Sequence, residues 1–312
     1  MANKEKNFAS AVVYVHNAEK RIEKFLRMLI GVMEENFEHS EIICVNDSST
    51  DGSLEVIKKT SENASATSIS VVNMSYFHGL ELSMNAGVDM SIGDFVFEFD
   101  NTYFDFEPDV IMQVYRHSLK GYDIVSASPE RKERISSKIF YSVFAHYSDM
   151  KYKMTTESFR VLSRRVINRI SSMNKTIPYR KVIYANCGLK ADNIKYPEVA
   201  GVNKSINGDE KSYRFGLAVD SLILFTELGY SFAKMMTILM MVVSLFMIVY
   251  TVVIYITSNP VAGWTTTILF LSVAFIGIFG ILTIIIKYLQ LLVDLVFKRK
   301  HYSFEGIEKL TK

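Results

Sequence analysis

Cysteine is scarce: the 312 residues contain two, Cys44 and Cys187. They stand far apart and without metal-ligand spacing, which argues against a disulfide framework or a thiolate metal site and for buried free thiols in a reducing compartment. An excess of either charge is missing too, since 35 Lys and Arg face 33 Asp and Glu. No basic stripe interleaved with aromatics appears, so nucleic acid is disfavoured as a partner. The start, Met1-Ala2-Asn3-Lys4-Glu5-Lys6, lacks the apolar core of a secretory signal. Repeats and low-complexity segments are absent as well.

The largest deficit is of charge between residues 235 and 286, where no Asp, Glu, Lys or Arg occurs. A membrane-spanning helix needs roughly 20 mostly apolar residues. The stretch therefore predicts two spans, about 235–257 and 265–286, joined by Ser258-Asn259-Pro260-Val261-Ala262-Gly263-Trp264. That loop has no Lys or Arg, whereas Lys234 precedes the first span and Lys287, Lys298, Arg299 and Lys300 follow the second. The positive-inside rule then places both ends in the cytoplasm. The organisation expected is a domain over 1–212, an interfacial helix over 213–234, the hairpin over 235–286, and a cytoplasmic helix and tail over 287–312.

Within the first 212 residues, apolar strands alternate with amphipathic helices. Residues 8–15 read as a buried strand, and Ile22, Phe25, Leu26, Leu29, Ile30 and Met33 recur at helical spacing after it. Strands follow at 42–45, 69–72, 95–99 and 124–127, with helices at 53–61, 79–90, 135–148 and 163–172; Val182 to Ala185 is a further apolar run. This alternation predicts an α/β fold with a mainly parallel sheet covered on both faces. Ligands of such sheets sit beyond the carboxyl ends of the strands. Three polar clusters fall there: His16-Asn17-Ala18-Glu19, Asn46-Asp47 and Asp100-Asn101-Thr102.

Val12 to Glu19 resembles the opening strand and turn of family 2 glycosyltransferases, and Val45-Asn46-Asp47-Ser48-Ser49-Thr50-Asp51-Gly52-Ser53 resembles their second-strand signature. Gly79, Asn85, Ala86, Gly87, Gly93 and Asp94 then fall where the family runs up to its metal-binding aspartates. Ser158 to Arg165 resembles a segment of the polyprenyl-phosphate branch, as does the two-span tail. The resemblance implies a GT-A fold (Rossmann-like), a nucleotide-sugar donor, a polyprenyl phosphate or other lipid acceptor, and a divalent cation, Mg²⁺ or Mn²⁺. A bacterial inner membrane is the setting it implies; a homo-oligomer is left open.

Uracil offers an N–H that a carboxylate can accept. Asp47 is the candidate for that contact, with Asn46 and Glu19 nearby and Tyr14 or His16 lining the ring. Taken alone, the segment from Asn46 to Ser53 reads equally as a turn and helix cap. In the family an Asp-X-Asp signature holds the cation that neutralises the leaving diphosphate. Here it reads Asp100, Asn101, Thr102, with Phe104 where the branch commonly has Gln. Asp100 is therefore the metal candidate and shares the nucleotide site. Glu98 in a shifted register, Asp105 from the next turn, or arginines and lysines in place of the metal are three ways to repair the loss. Ser158 stands where the family has Asp before Phe-Arg, leaving Glu157 as substitute base. Arg131, Lys132, Arg134 and Arg160 are the candidates for the acceptor phosphate, and Asp100, Glu157 and Arg160 for catalysis. A member that binds nucleotide without turnover is the reading of a different class.

Overall fold

The computed structural model describes residues 4–130, 156–172, 180–199 and 304–311, with isolated helical residues at 142 and between 216 and 292. The candidates Arg131, Lys132 and Arg134, the helix expected at 135–148 and most of the two apolar runs lie outside them. No helix among the described residues is long and apolar enough to cross a membrane.

In chain order the elements are β1 (Ala9–Val15), α1 (Glu19–Asn36), β2 (Ser40–Asn46), α2 (Ser53–Ser61), β3 (Ser68–Met74), α3 (Leu80–Met90), β4 (Phe95–Phe99), α4 (Asp109–Ser118), β5 (Ile124–Pro129), β6 (Phe159–Ser163), α5 (Arg164–Ser172), α6 (Arg180–Asn186), β7 (Ala191–Tyr196) and β8 (Phe304–Lys309). One eight-stranded sheet holds the strands in the order β7-β5-β6-β4-β1-β2-β3-β8. The pairs β1–β2, β1–β4, β2–β3 and β5–β7 are parallel. The pairs β4–β6, β5–β6 and β3–β8 are antiparallel. The sheet is mixed, with its parallel centre where the sequence placed it.

Strand alternation divides the core. Ala11, Val13 and Val15 of β1, with Phe97 and Phe99 of β4, face α1 and α4. Val12, Val45 and Val96 face α3 and α5, where Met84, Ala86 and Val166 cover them. The six apolar residues expected on one face of α1 are all buried, each contributing roughly 1.5–3 kcal/mol by burial. Gly87 lets α3 lie close on the sheet, since a Cβ there would strike the side chains of Val12 and Val45.

Two departures affect the site. Phe159–Ser163 is a strand, antiparallel to β4 with Arg160 opposite Glu98. Phe304–Lys309, expected in a helix and tail, pairs with β3 along Ser70 to Met74. The sheet domain is thus not confined to 1–212. Lys58 and Glu308 form an ion pair at 2.5 Å, and Thr311 Oγ1 accepts the Ile69 N–H at 2.8 Å, fixing the returning strand.

Candidate active site

The ends of β1, β2 and β3 are tied together by their own polar loops. Asp47, wholly buried at the end of β2, accepts the backbone N–H of His78 on Oδ1 at 2.8 Å and that of Gly79 on Oδ2 at 2.9 Å. Tyr14 donates its hydroxyl to the same Oδ2 at 2.9 Å. Gly79 has φ of 80°, a left-handed conformation that glycine adopts without steric cost. Asp47 therefore anchors the 75–79 loop, and three donors already occupy the carboxylate expected to meet a base. Asn46 is spent likewise, donating to Asn73 at 2.9 Å and accepting the Ser49 N–H at 3.2 Å.

Glu19 accepts the Gly52 N–H at 3.2 Å, Asp51 accepts the Glu19 N–H at 3.1 Å, and Asn17 accepts the Thr50 N–H at 2.9 Å. Burial works to raise the Asp51 pKa, but hydrogen bonds from Ser53 and from backbone N–H groups outweigh it and lower the value. Asp51 Oδ1 also accepts the Ser53 N–H at 3.0 Å, so the signature loop leads into α2 and clasps the loop after β1 at once. His16 meets the Asp47 carbonyl oxygen through Nδ1 at 2.7 Å, and its ring lies 4.9 Å from that of Phe77. Tyr76 stacks on His78 at 4.0 Å. Tyr76 and Phe77 are exposed, so an aromatic rim stands over the ends of β1 and β3. Phe77 carried no sequence signal beyond its place after a strand.

At β4 the polar residues build an ionic network. Glu98 is fully buried on the α3 and α6 side of the sheet. Its Oε2 accepts Arg160 Nη1 at 2.7 Å; its Oε1 accepts Arg180 Nη1 at 2.8 Å and the Tyr184 hydroxyl at 2.7 Å. Asp100 receives Arg160 Nη2 on Oδ2 at 2.8 Å and Arg180 Nη2 on Oδ1 at 2.6 Å. Arg180 Nε reaches Glu81 at 2.9 Å, and Arg160 Nε reaches Glu157 at 3.0 Å, with Lys181 at 4.0 Å from the same carboxylate. Burial of Asp100 works to raise its pKa; Arg160, Arg180 and Lys181 overcome it and hold the carboxyl well below the usual range. For each arginine burial opposes the charge, and the facing carboxylates reverse that and hold it protonated.

Glu98, Asp100, Glu157 and Arg160 were expected near one another, and the fold brings them together. Arg180, Glu81 and Tyr184 join them without having been singled out; the signal available was the basic pair Arg180-Lys181 ahead of an apolar run. Arg164 is elsewhere, donating from Nε to the Gly93 carbonyl at 2.8 Å, and Arg165 is exposed beside Asp123. Asp105 is wholly buried and accepts the Tyr196 hydroxyl at 3.2 Å.

The residues present do not fit a divalent cation at Asp100. Both of its oxygens carry guanidinium contacts, Thr102 is a buried neutral side chain, and Phe104 packs on the core with Lys24 over its ring at 5.6 Å. The helpers proposed from sequence are spent: Glu98 on two arginines and a tyrosine, and Asp105 in its contact with Tyr196. Among the described residues, no three His, Cys, Asp or Glu side chains group as a metal site. A cation on Asp100 would have to displace guanidinium groups that also hold Glu81, Glu98 and Glu157, leaving buried carboxylates unpaired.

The chain matches the model for glycosyl transferase family 2 over residues 10–172. It is 29% identical over 187 residues to an uncharacterized glycosyltransferase of Synechocystis, covering 58% of each chain. It is also 29% identical over 284 residues to the bactoprenol glucosyl transferase of Shigella phage SfX, covering 86% of this chain and 88% of that one. A solved structure of glucosyl-3-phosphoglycerate synthase from Mycobacterium tuberculosis, holding Mn²⁺, uridine diphosphate and phosphoglyceric acid, is similar at 13% identity and a TM-score of 0.48, covering 70% of this chain and 78% of that one. With more than half its length matched by the family model, the chain belongs to glycosyl transferase family 2 and is on that ground a glycosyltransferase.

Proposed function

We propose that the chain moves a sugar from a nucleotide donor, UDP-linked by preference, to a polyprenyl phosphate with inversion at the anomeric carbon. The observation that carries this reading is the commitment of the carboxylates around the end of β4. Glu98, Asp100 and Glu157 all bind arginine, so none of the three is poised as a general base. An alcohol acceptor has to lose its proton as it attacks, and such a base contributes typically 10²–10⁴-fold. A phosphate monoester has a second pKa of about 6 and is already ionised near neutral pH.

The phosphate oxygen forms the new bond to the anomeric carbon while the bond from that carbon to the donor diphosphate breaks. The electron pair leaves with the nucleoside diphosphate, and no proton has to move. The aromatic rim of His16, Tyr76 and Phe77 is the surface on which the base would lie. Similarity to a bactoprenol glucosyl transferase across most of both chains supports this class of acceptor.

A lipid acceptor calls for a membrane, and the uncharged runs at 235–257 and 265–286 are read as a two-span hairpin. The return of the chain as β8 supports that reading. Residues 191–196 and 304–309 belong to one sheet, so any spans between them must be even in number. The proposed setting is an inner (plasma) membrane with both ends in the cytoplasm.

The test is transfer of labelled sugar from UDP-sugars into extractable lipid by purified protein with undecaprenyl phosphate, wild type against Glu157→Gln. A phosphate acceptor predicts that the variant keeps activity within about tenfold. Transfer to undecaprenol in place of undecaprenyl phosphate, lost by about 10²-fold or more in the variant, the scale of a general base, would point instead to an alcohol acceptor.

A further inference from the structure

The cationic pair at Asp100 answers the question raised by Thr102. Asp100 carries a guanidinium on each oxygen, at 2.6 Å from Arg180 and 2.8 Å from Arg160. The same two arginines hold both oxygens of Glu98 behind it. Arg160 is set by its register opposite Glu98 on β6, and Arg180 by Glu81 on α3, which accepts both its Nε–H and its backbone N–H at 2.9 and 3.0 Å. Side chains fixed from two sides cannot swing away to release Asp100 to another cation without leaving buried carboxylates unpaired. Asp100 is the most exposed carboxylate of the network, at 14% against 6% or less for Glu81, Glu98 and Glu157. Two guanidinium groups thus occupy the carboxylate that the Asp-X-Asp signature would otherwise offer to a cation.

We propose that donor binding at this site needs no divalent cation on Asp100, because both of its oxygens are already held by the buried guanidinium groups of Arg160 and Arg180. Asp100 is then a partner that holds the pair in place. Each guanidinium has five N–H groups and gives three to carboxylates, one from each nitrogen. This rests on the transferase reading for its chemistry, but the cation question is decided by binding alone.

The experiment titrates Mn²⁺ into the full-length protein, following free Mn²⁺ by electron paramagnetic resonance, alone and with UDP. UDP binding is measured by calorimetry with a chelator and with Mn²⁺. Wild type is compared with Asp100→Asn and Thr102→Asp. The expected result is no Mn²⁺ bound by the wild-type protein alone, no more bound with UDP than UDP itself takes up, and UDP affinity unchanged by the chelator. Thr102→Asp restores a second carboxylate but leaves both oxygens of Asp100 on the arginines, so it too is expected to bind no Mn²⁺; binding gained there would show that Asp100 can be released to a cation and would overturn the proposal. Wild-type Mn²⁺ binding that disappears in Asp100→Asn overturns the proposal, as does a UDP affinity that drops about tenfold or more on chelation, or 1.4 kcal/mol. If no labelled lipid forms under any condition, the transferase reading falls while the Mn²⁺ titration still decides this one.

Discussion

Arg180 Nη1 lies 2.8 Å from Glu98 Oε1, joining the first residue of α6 to the middle of the sheet across 82 positions of sequence. The pair is dry, with neither side chain more than 1% exposed. Removing one partner of a buried ion pair costs about 3–5 kcal/mol, because the other charge is left uncompensated. Arg180→Met is expected to lose at least that much, since Glu81, Glu98 and Asp100 all lose a partner. Denaturant titration of the full-length protein measures it.

Asp100 also sets a pH dependence. Its folded pKa is held below the unfolded value of about 3.9. A carboxyl shifted in that direction contributes stability that is fully present above the unfolded pKa and is lost as pH falls through the folded one. The stability gap between wild type and Asp100→Asn should therefore be level from neutral pH down to about 5 and narrow below about 4. Thermal midpoints across that range check the sign; a gap that widened on acidification would show the carboxyl to be destabilised in the fold.

Asp47→Ala separates anchoring from base recognition. The variant leaves the N–H groups of His78 and Gly79 without their acceptor, at about 1–3 kcal/mol for each buried group left unpaired. Both unfolding stability and UDP affinity should fall, because the loop that carries Phe77 comes loose. A residue that only touched the base would lower affinity and leave the unfolding midpoint in place.

Phe77→Ala is the converse case. The ring is 45% exposed and tilts against His16, so its loss should move stability little. Stacking of an aromatic on a base is worth about 1–3 kcal/mol, or roughly 5–150-fold in UDP affinity, which calorimetry reads directly. An unchanged affinity would place the base elsewhere.

Gly87→Ala pits two effects of opposite sign. Alanine favours a helix interior by about 1 kcal/mol over glycine, but the new methyl would meet Val12 and Val45 on the sheet. Overpacking typically costs 1–3 kcal/mol, so the net expected is a modest destabilisation, measurable as a lowered unfolding midpoint.

The parallel centre of the sheet was legible because its strands are short apolar runs and its helices show a regular buried face, as α1 does at Ile22, Phe25, Leu26, Leu29, Ile30 and Met33. The edges were not. β7 reads Ala191-Asp192-Asn193-Ile194-Lys195-Tyr196 and β8 Phe304-Glu305-Gly306-Ile307-Glu308-Lys309, polar segments that are strands only because a neighbour pairs with them. β6 was hidden inside a motif read for its arginine, although that arginine's position opposite Glu98 is a consequence of strand pairing. α4 follows directly on the Asp100 signature and was not expected, although Val110, Ile111, Val114 and Tyr115 mark its buried face. At the site, residue types were legible and partners were not. Sequence named Asp47 and Asp100 as ligands, but a carboxylate's vacancy depends on donors brought from 31 and 80 positions away.

The returning strand makes the catalytic unit discontinuous in sequence, and this bears on how the protein can be cut. Ending the chain ahead of the apolar segment would free the molecule of its greasiest stretch and strip away β8 with it. β3 would then present the row from Ser70 to Met74, now paired, as an open edge ready to recruit another molecule. A shortened form that precipitates would be reporting a missing neighbour in the sheet. A shortened form that keeps the whole sheet is better sought by replacing residues 235–286 with a short polar linker that lets β8 find its place.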